Sequence, residues 1–396
     1  MQVQLNDQMD LTNGAGASIR DTLSHIFNQA TINTQGTCSE SLAWELLGEN
    51  GFLGATVSHA MGGVGLDLAH LIEFCSVLVD YLQDELAFVL HSLVSSELIE
   101  AYGSGKQIES LLPGMLDGTL RSAVCFFDLR TFSESNWSGA YYEKNDGKYD
   151  LYFDQTVFIG AQSSNTVIVI AKEKGKQSTF SIFHVPKGTE SLGLNLERGQ
   201  FDDVQISIAG QLSGVIRDLD DSFILGNKDG LGGSQWQNFL GKLHMAIGAL
   251  SVASMSKVIR ATREYTSDRE VFGRAVIDFD NTKHVVAAGQ YEVLAGFAIF
   301  RDFFNGGHRE DASSSYVNGL CAKFVRRHTK TCDECLQLFG GYGFLVENPI
   351  GKRYMNYLFA SSICLDDVEY VAFEKLWNRS NGDDLHHECT ALERTA

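Results

Sequence analysis

The spacing of apolar residues changes twice along this chain of 396 residues. Apolar side chains recur at helical intervals from residue 15 to about residue 120, and again from Trp236 to about Trp377. Between these stretches, from Ser122 to about Ile224, the interval is two residues, which is typical of strands. The sequence therefore predicts an α+β protein in which a β segment separates two helical segments.

The middle segment contains short runs rich in β-branched and aromatic residues, set off by Gly, Asn, Lys and Asp. These runs are Tyr149–Phe153, Thr166–Ile170 and Phe180–Val185. We interpret them as strands of one middle β domain.

The two changes of period predict four regions. They are an N-terminal helical domain at 1–121, the β domain at 122–230, a C-terminal helical domain at 231–380 and a flexible tail at 381–396. Within the third region the pattern predicts helices at about 281–304, 314–339 and 364–377.

Composition argues against two kinds of partner. The chain has 50 acidic and 31 basic residues and a net charge of −19, whereas a nucleic-acid binder needs clustered Lys and Arg to displace counterions from phosphates. No apolar run reaches the roughly 18 residues that a membrane-spanning helix requires. The N-terminus carries Asp7 and Asp10 instead of a basic region followed by an apolar core. We therefore expect a cytoplasmic protein without nucleic-acid or membrane partners.

The eight cysteines are scattered, and Cys332 and Cys335 form the only C-x-x-C pair. A zinc site would need a second pair, and a thiol redox site would need a strand just before its helix. Because this pair lies inside a predicted helix, we interpret both thiols as reduced and half-buried, and we predict no metal site.

A glycine-rich turn follows the predicted helix at 314–339. Three glycines occupy four positions in Gln337-Leu338-Phe339-Gly340-Gly341-Tyr342-Gly343. Glycine accepts positive φ and carries no Cβ, so this turn can approach another surface closely, although a simple helix C-cap would look similar. Two motifs accompany it, Arg269-Glu270-Val271-Phe272-Gly273 upstream and Pro349-Ile350-Gly351-Lys352-Arg353 downstream.

An R-x-x-F-G element followed by a long helix pair and Q-x-x-G-G-x-G resembles the acyl-CoA dehydrogenase family, and the resemblance covers nearly the whole chain. It implies an N-terminal helical domain, a middle β-barrel or sandwich and a C-terminal four-helix bundle. It also implies FAD bound between the β domain and the bundle, in a homodimer or homotetramer whose neighbouring subunit completes the cofactor site.

The resemblance assigns cofactor contacts to particular residues. Arg269 would pair with the FAD pyrophosphate, for which its planar cationic fork is suited, and Phe272 would pack by the adenosine. Gln337, Gly340 and Gly341 would reach the cofactor from the adjacent subunit. The alternative for Arg269 is a surface salt bridge with its sequence neighbours Asp268 or Glu270.

Several positions depart from the family pattern. Asp280 stands where a cofactor-contacting glutamine is usual. The signature that bonds the flavin ring through a hydroxyl corresponds to Phe158-Ile159-Gly160, where only backbone amides remain for this purpose.

The catalytic base also departs from the pattern. Counted from the glycine turn, the usual glutamate position holds Cys364, and the position used in the isovaleryl-type branch holds Leu243. Three explanations stay open. Asp366 or its neighbour Asp367 acts as the base, His244 does so, or the reaction needs no strong base.

The resemblance implies an FAD-dependent oxidoreductase acting on an acyl thioester of CoA or an acyl carrier protein. We expect a specialised, secondary-metabolite pathway such as antibiotic biosynthesis, with an electron-transfer flavoprotein as electron acceptor. One alternative is a flavin-dependent monooxygenase or oxidase that uses O2. Another is a non-catalytic homologue, poor in cofactor, with a scaffold role.

Overall fold

The structure is a computed structural model that describes residues 15–31, 38–83, 85–125, 139–160, 164–176, 179–186, 195–201, 204–305, 315–345 and 348–363. Helices, then strands, then helices follow one another along these residues, so the predicted α+β class is confirmed. The domain limits proposed from the sequence stay predictions, and the proposed tail lies outside the described residues.

The N-terminal region is helical. Its helices are α1 (Ala15–Thr31), α2 (Glu40–Glu49), α3 (Leu68–Tyr81), α4 (Glu85–Val89), α5 (Glu97–Tyr102) and α6 (Gly105–Asp117). A π-helical segment, Leu90–Ser96, joins α4 to α5 without a break.

Polar side chains determine where several of these helices begin. Ser39 accepts a hydrogen bond from the backbone of Leu42 at the start of α2, and Asp67 accepts one from the backbone of His70 at the start of α3. Ser104 and Gln107 form a reciprocal capping box on α6. These hydrogen bonds satisfy N–H groups that have no partner within their own helix.

The β domain contains β1 (Ser122–Cys125), β2 (Tyr141–Asn145), β3 (Lys148–Ile159), β4 (Thr166–Glu173), β5 (Phe180–Pro186), β6 (Asn195–Phe201) and β7 (Val204–Leu219). Strands β1, β4, β2 and β3 pair in that order, and β3 pairs again with β1, so these four close a small barrel. Strand β5 extends the sheet from β4, while β7 and then β6 extend it from β3.

A tight hairpin joins β2 to β3. Asp146 and Gly147 have φ values of 48° and 80°, and the pair Asn145 and Lys148 closes the turn. Positive φ at both central residues is the geometry of the two-residue turns that match strand twist, and Asp-Gly is a preferred sequence for it. The turn therefore sets the register that places Tyr141 opposite Tyr152.

The described residues of the C-terminal region form four long helices, and a small hairpin follows the first. They are α7 (Gly232–Asp268), α8 (Asp280–Asn305), α9 (Ser315–Phe339) and α10 (Pro349–Ile363), and the hairpin strands are β8 (Glu270–Val271) and β9 (Arg274–Ala275). The bundle predicted from the sequence is confirmed, and the predicted helix at 364–377 lies outside the described residues. Helix α10 was not predicted, although Pro349 at its first position is a recognised start signal.

The contacts of α7 determine the directions of its neighbours. Ser254 lies by His328 and Tyr265 lies by Phe339, so residue numbers rise together along α7 and α9 and these helices are parallel. The hydroxyl of Tyr357 bonds to the backbone of Leu250, while Arg353 bonds to Ser254, so α10 is antiparallel to α7.

Helix α7 is the centre of the protein. It is long and apolar enough to cross a bilayer, but 88% of its most apolar window is buried within the chain, as expected for the core helix of a bundle. Its buried residues, including Leu243 and Leu250, share one hydrophobic core with the N-terminal helices and with one face of the β sheet, through Ile168 and Ile182. The three regions therefore pack as one body around α7.

Candidate functional site

The R-x-x-F-G motif forms the hairpin that leaves the end of α7. The backbone N–H of Arg269 donates to the carbonyl of Tyr265 at 3.0 Å, and β8 and β9 then pair across Phe272 and Gly273. These two residues have φ values of 55° and 77°. The motif thus forms a two-residue turn with positive φ at both central positions. Only the second of these positions is a glycine, which adopts positive φ without strain.

Phe272 occupies the strained position of this turn. A non-glycine residue with positive φ brings its Cβ close to its own carbonyl, at a cost of about 1–2 kcal/mol. Packing within the chain does not offset this cost, because the Phe272 side chain is 95% exposed. Strain and exposure of one large aromatic side chain are consistent with a contact made to another molecule.

The glycine-rich turn begins where α9 ends. Gly340 has a φ of 58° and starts the 3₁₀ turn Gly340–Phe344. A Cβ added at Gly340 or Gly341 would meet no described atom within 4 Å, so both positions border open space. Gly343 differs, because a Cβ there would lie 2.7 Å from the carbonyl oxygen of Leu336. The turn therefore needs Gly343 for packing and exposes the backbone at the other two.

The two motifs meet at one end of the bundle. The rings of Tyr265 and Phe339 stack at 4.3 Å, the Tyr265 hydroxyl donates to the Phe339 carbonyl at 3.4 Å, and Tyr342 adds a third ring at 5.9 Å from Tyr265. Because α7 and α9 run parallel, the segments that follow them lie side by side.

A cavity of about 590 Å³ lies between these segments, which we call the terminal groove. Its walls come from two stretches of one chain, residues 265–282 and 337–342. The lining residues are Tyr265, Arg269, Val271, Phe272, Val276, Phe279, Asn281, Thr282, Gln337, Leu338, Phe339, Gly340, Gly341 and Tyr342.

The terminal groove brings the two motifs together within one chain. Arg269 and Phe272 line it together with Gln337, Gly340 and Gly341, because α7 and α9 run parallel and end at the same side of the bundle. The expected contribution of a neighbouring subunit to the cofactor site stays a prediction.

Arg269 contributes the charge of this groove. Its side chain is exposed and forms no ion pair with any residue that the structure describes. The alternative of a salt bridge with Asp268 or Glu270 is therefore not realised. A cation without a described counter-ion, in a groove that also contains two glycines with open Cβ positions, is suited to an anionic group.

Comparison with known proteins identifies the family. Residues 13–119 match the N-terminal domain of acyl-CoA dehydrogenases, and residues 230–362 match their C-terminal domain. The chain belongs to the acyl-CoA dehydrogenase family. The mitochondrial long-chain specific acyl-CoA dehydrogenase of Rattus norvegicus is 23% identical over 329 residues, which cover 79% of this chain and 73% of that protein.

Two solved structures of this fold illustrate its range. A glutaryl-CoA dehydrogenase from Mycobacterium smegmatis in complex with FADH2 superposes with a TM-score of 0.72 at 18% identity, covering 93% of this chain and 95% of that one. The prolyl acyl carrier protein oxidase AnaB superposes with a TM-score of 0.70 at 15% identity, covering 92% of this chain and 99% of that one. At these identities the likeness establishes the fold alone.

Within this acyl-CoA dehydrogenase fold, Asp280 does not line the terminal groove. It is exposed at the first position of α8, where its carboxylate complements the positive end of the helix dipole. The next two residues, Asn281 and Thr282, line the groove instead. The sequence did not reveal them, because a count of positions from Phe272 does not show which residues of the first helical turn face a groove.

Phe158 and Gly160 lie at the end of β3, away from the terminal groove. Phe158 is buried and pairs with Cys125 of β1. A Cβ on Gly160 would lie 2.7 Å from the Cα of Ala123, so this glycine permits close packing of the β3 end on β1. Their predicted contact with a flavin ring stays a prediction.

The candidate bases fall into two groups. His244 lies on α7 and is 2% exposed, next to the fully buried Leu243. Cys364 and Asp366 lie just past α10, outside the described residues.

The sequence did not predict a buried ion pair that joins α10 to α4. Arg353 on α10 bonds to Glu85 on α4 at 2.8 Å, and both side chains are at most 2% exposed. Tyr357 lies 3.1 Å from the same carboxylate oxygen. Burial raises the pKa of Glu85 above its usual range. The signal that could have revealed the pair is a charged residue at an apolar-spaced position on each helix.

Proposed function

We propose that this acyl-CoA dehydrogenase family member is an FAD-dependent oxidoreductase that acts on an acyl thioester carried by CoA or by an acyl carrier protein. One observation carries the proposal. The terminal groove brings an exposed arginine, two glycines with open Cβ positions and a strained, exposed phenylalanine together in one chain.

The groove fits the adenosine diphosphate half of FAD. Its volume of about 590 Å³ is within the usual range of cofactor sites. Arg269 would hold the pyrophosphate, Gly340 and Gly341 would let phosphate or ribose oxygens approach the backbone, and Phe272 would cover the adenine. Gln337 would supply a further hydrogen bond.

When bound, FAD supplies the hydride acceptor of this chemistry. We keep His244, Cys364 and Asp366 as candidates for the group that takes the α-proton of the thioester, beside the alternative that the reaction needs no strong base. Loss of a general base costs a factor of about 10² to 10⁴, which a high-flux degradative enzyme could hardly tolerate. This supports a place in a specialised, secondary-metabolite pathway such as antibiotic biosynthesis.

The partners follow from the same reasoning. We propose a cytoplasmic homodimer or homotetramer, because Phe344 and Leu345 are 83% and 51% exposed in the single chain and a second copy would cover them. An electron-transfer flavoprotein would reoxidise the bound flavin in a dehydrogenase.

A second candidate function is that of an oxidase or monooxygenase using O2. The fold likeness to the prolyl acyl carrier protein oxidase AnaB favours it. The two candidates differ in the electron acceptor, so they are separable by experiment.

The purified protein tests the proposal in two steps. It should be yellow, and an Arg269→Gln variant should lose flavin on gel filtration, whereas Arg263→Gln, an exposed arginine on α7 outside the groove, should retain it. Anaerobic mixing with a panel of acyl-CoA and acyl carrier protein thioesters should then bleach the flavin. Rapid return of colour on admitting air indicates an oxidase, and return only with electron-transfer flavoprotein indicates a dehydrogenase.

A colourless protein would instead support the scaffold alternative. A yellow protein that no thioester bleaches, and that consumes no O2 with any of them, would refute the proposed reaction and leave the cofactor assignment standing.

A further inference from the structure

The exposed side of α9 has a charge opposite to that of the whole chain. From Ser315 to Cys332 the sequence contains four Lys and Arg residues and no Asp or Glu, although the chain carries a net charge of −19. Lys323, Arg326 and Lys330 are exposed. Because the second and third of them are three and seven residues after the first, they lie on one side of the helix, along about 10 Å of its axis.

Arg327 extends this charged surface toward α8. Its guanidinium lies 3.3 Å from the Glu292 carboxylate, which places α8 beside the exposed side of α9. Lys330 lies 3.7 Å from Glu334 at an exposed site, where an ion pair contributes little. Lys323 has no ion-pair partner among the residues that the structure describes. The α9 basic face is the name we give to Lys323, Arg326, Arg327 and Lys330.

The adjoining surface of α8 is apolar. Tyr291 is 72% exposed, and Ala288 and Ala295 are exposed about one turn away from it on either side. Tyrosine and arginine are enriched at protein–protein interfaces, where an aromatic side chain often forms the centre and charged groups form the rim. The two helices together therefore have the composition of a protein-binding surface.

The charge of this surface selects the kind of partner. A long polyanion such as DNA would extend past the four cations onto a chain with a net charge of −19, and would be repelled there. An isologous contact between two copies centred on this face would place its cations opposite one another. A small acidic protein avoids both costs.

An acidic amphipathic helix fits the geometry of this surface. Carboxylates three and seven residues apart on the partner's helix would repeat the spacing of Lys323, Arg326 and Lys330, because both helices have the same rise per residue. Apolar side chains on the same helix would pack on Tyr291. Two proteins that are both acidic overall repel each other, so a local basic face is what permits their encounter.

We propose that the α9 basic face and Tyr291 form the docking surface for an acidic acyl carrier protein, which delivers the thioester substrate. The choice of partner rests on the function proposed above, and it selects the protein carrier over CoA. A carrier protein has to be held by its own surface, and a row of cations beside an aromatic side chain supplies both the attraction and the orientation.

Carrier binding and flavin reduction test this surface separately. The dissociation constant of each phosphopantetheine-loaded carrier protein in the thioester panel is measured by fluorescence anisotropy. Anaerobic flavin reduction is followed by stopped flow with one acyl group, carried either by that protein or by CoA. Lys323→Glu/Lys330→Glu is the test variant. Lys106→Glu/Lys228→Glu changes the net charge equally at two exposed lysines outside α8 and α9, and is the matched control.

The test variant should weaken carrier binding by about tenfold or more relative to the control, because two attractive charge contacts become repulsive. The concentration of carrier thioester that gives half-maximal flavin reduction should rise by the same factor. The value for the CoA thioester should stay within about twofold of the control, since both variants carry the same net charge. Raising the ionic strength should reduce the difference between the two variants, and Tyr291→Ala should weaken carrier binding at low and high salt alike. Circular dichroism checks that each variant is folded.

Three results would overturn the docking surface. In the first, no carrier protein binds while an acyl-CoA still bleaches the flavin, so the proposed function stands without this surface. In the second, the test variant impairs the carrier and CoA thioesters equally. In the third, light scattering shows that the test variant alone has a lower mass than the unaltered protein, so a second copy covers the face.

Failure of the proposed function is a separate result. If a carrier protein binds and the test variant weakens this binding, but no thioester bleaches the flavin, the docking surface stands and the proposed reaction fails.

Discussion

The buried Glu85–Arg353 pair allows a worked prediction of stability. Arg353 donates to Glu85 Oε1 at 2.8 Å, to Ser254 Oγ at 3.3 Å, and to the backbone carbonyls of Val79 and Leu82 at 2.9 and 2.6 Å. The two carbonyls are at the C-terminal end of α3, where they have no partner within the helix. The pair therefore joins α10 of the bundle to α3 and α4 of the N-terminal region.

Replacing Glu85 by glutamine leaves the guanidinium of Arg353 buried without a counter-ion. Arginine cannot release its proton, so the charge stays, and removing one partner of a buried pair costs about 3–5 kcal/mol. A folded domain has about 5–15 kcal/mol of stability in total. We expect Glu85→Gln to lose a large part of it.

Arg353→Met should destabilise the protein in a different way. It removes the Arg353 donor from the carbonyl of Leu82, at about 1–3 kcal/mol, whereas the carbonyl of Val79 keeps the hydrogen bond that Lys257 donates at 2.7 Å. The carboxyl of Glu85, however, can take up a proton, since burial already raises its pKa and Arg353 opposes that rise. A raised folded pKa means that the stability of Arg353→Met should fall as pH increases from about 4 upward.

Urea unfolding followed by tryptophan fluorescence measures these free energies. The double variant Glu85→Gln/Arg353→Met should be less destabilised than the sum of the single variants, because it contains no unpaired charge. Arg260→Met is the control, since Arg260 pairs with Asp80 at a site where both are more than a third exposed, and it should cost under about 1 kcal/mol. If Glu85→Gln lowers the free energy of unfolding by no more than Arg260→Met does, burying the unpaired charge of Arg353 does not cost the expected amount of about 3–5 kcal/mol.

Three further predictions use other parts of the chain. Burial lowers the pKa of His91 and His184 to about 4 and that of His328 to about 3, so the unfolded chain binds more protons than the folded one below pH 6.5. The free energy of unfolding should therefore fall by about 3 kcal/mol per pH unit between about pH 6 and pH 4.5, and equal urea midpoints at both pH values would contradict this. Phe272→Asn should relieve backbone strain and raise the stability of the flavin-free protein by about 1 kcal/mol while weakening FAD binding. Phe344→Asn, on an exposed ring at a residue without positive φ, should not raise stability. Gly63→Ala should lower the free energy of urea unfolding by several kcal/mol, because its Cβ would lie 2.2 Å from the carbonyl oxygen of Val57. Gly105→Ala, whose Cβ would meet no described atom within 4 Å, should leave it unchanged.

Local patterns were sufficient for most of the architecture. The change from helical to two-residue spacing near Ser122 and back near Trp236 agrees with the observed elements, and Asp146-Gly147 marks a hairpin turn by its own backbone preference. Predicted helices at 281–304 and 314–339 agree with α8 and α9 to within one residue at each end. These features are readable because each depends on residues close together in the chain.

The candidate site was only partly predictable. Arg269, Phe272, Gln337, Gly340 and Gly341 were chosen from motifs, and the structure gathers all of them in the terminal groove. A count of positions from the motif selected Asp280, whereas Asn281 lines the groove. The two differ because the side of the helix that a residue faces depends on how α8 is placed in the fold. The two motifs meet within one chain, and the expected contribution of a neighbouring subunit stays a prediction.

The sequence by itself determined the order of helices and strands, the turns and the motif residues, since these follow from spacing and from the backbone preferences of neighbouring residues. Only the tertiary structure decided that the ends of α7 and α9 lie side by side and that Glu85 meets Arg353 across 268 positions of sequence. Such contacts depend on the direction and packing of whole helices, a property of the shared core around α7 that no local stretch encodes.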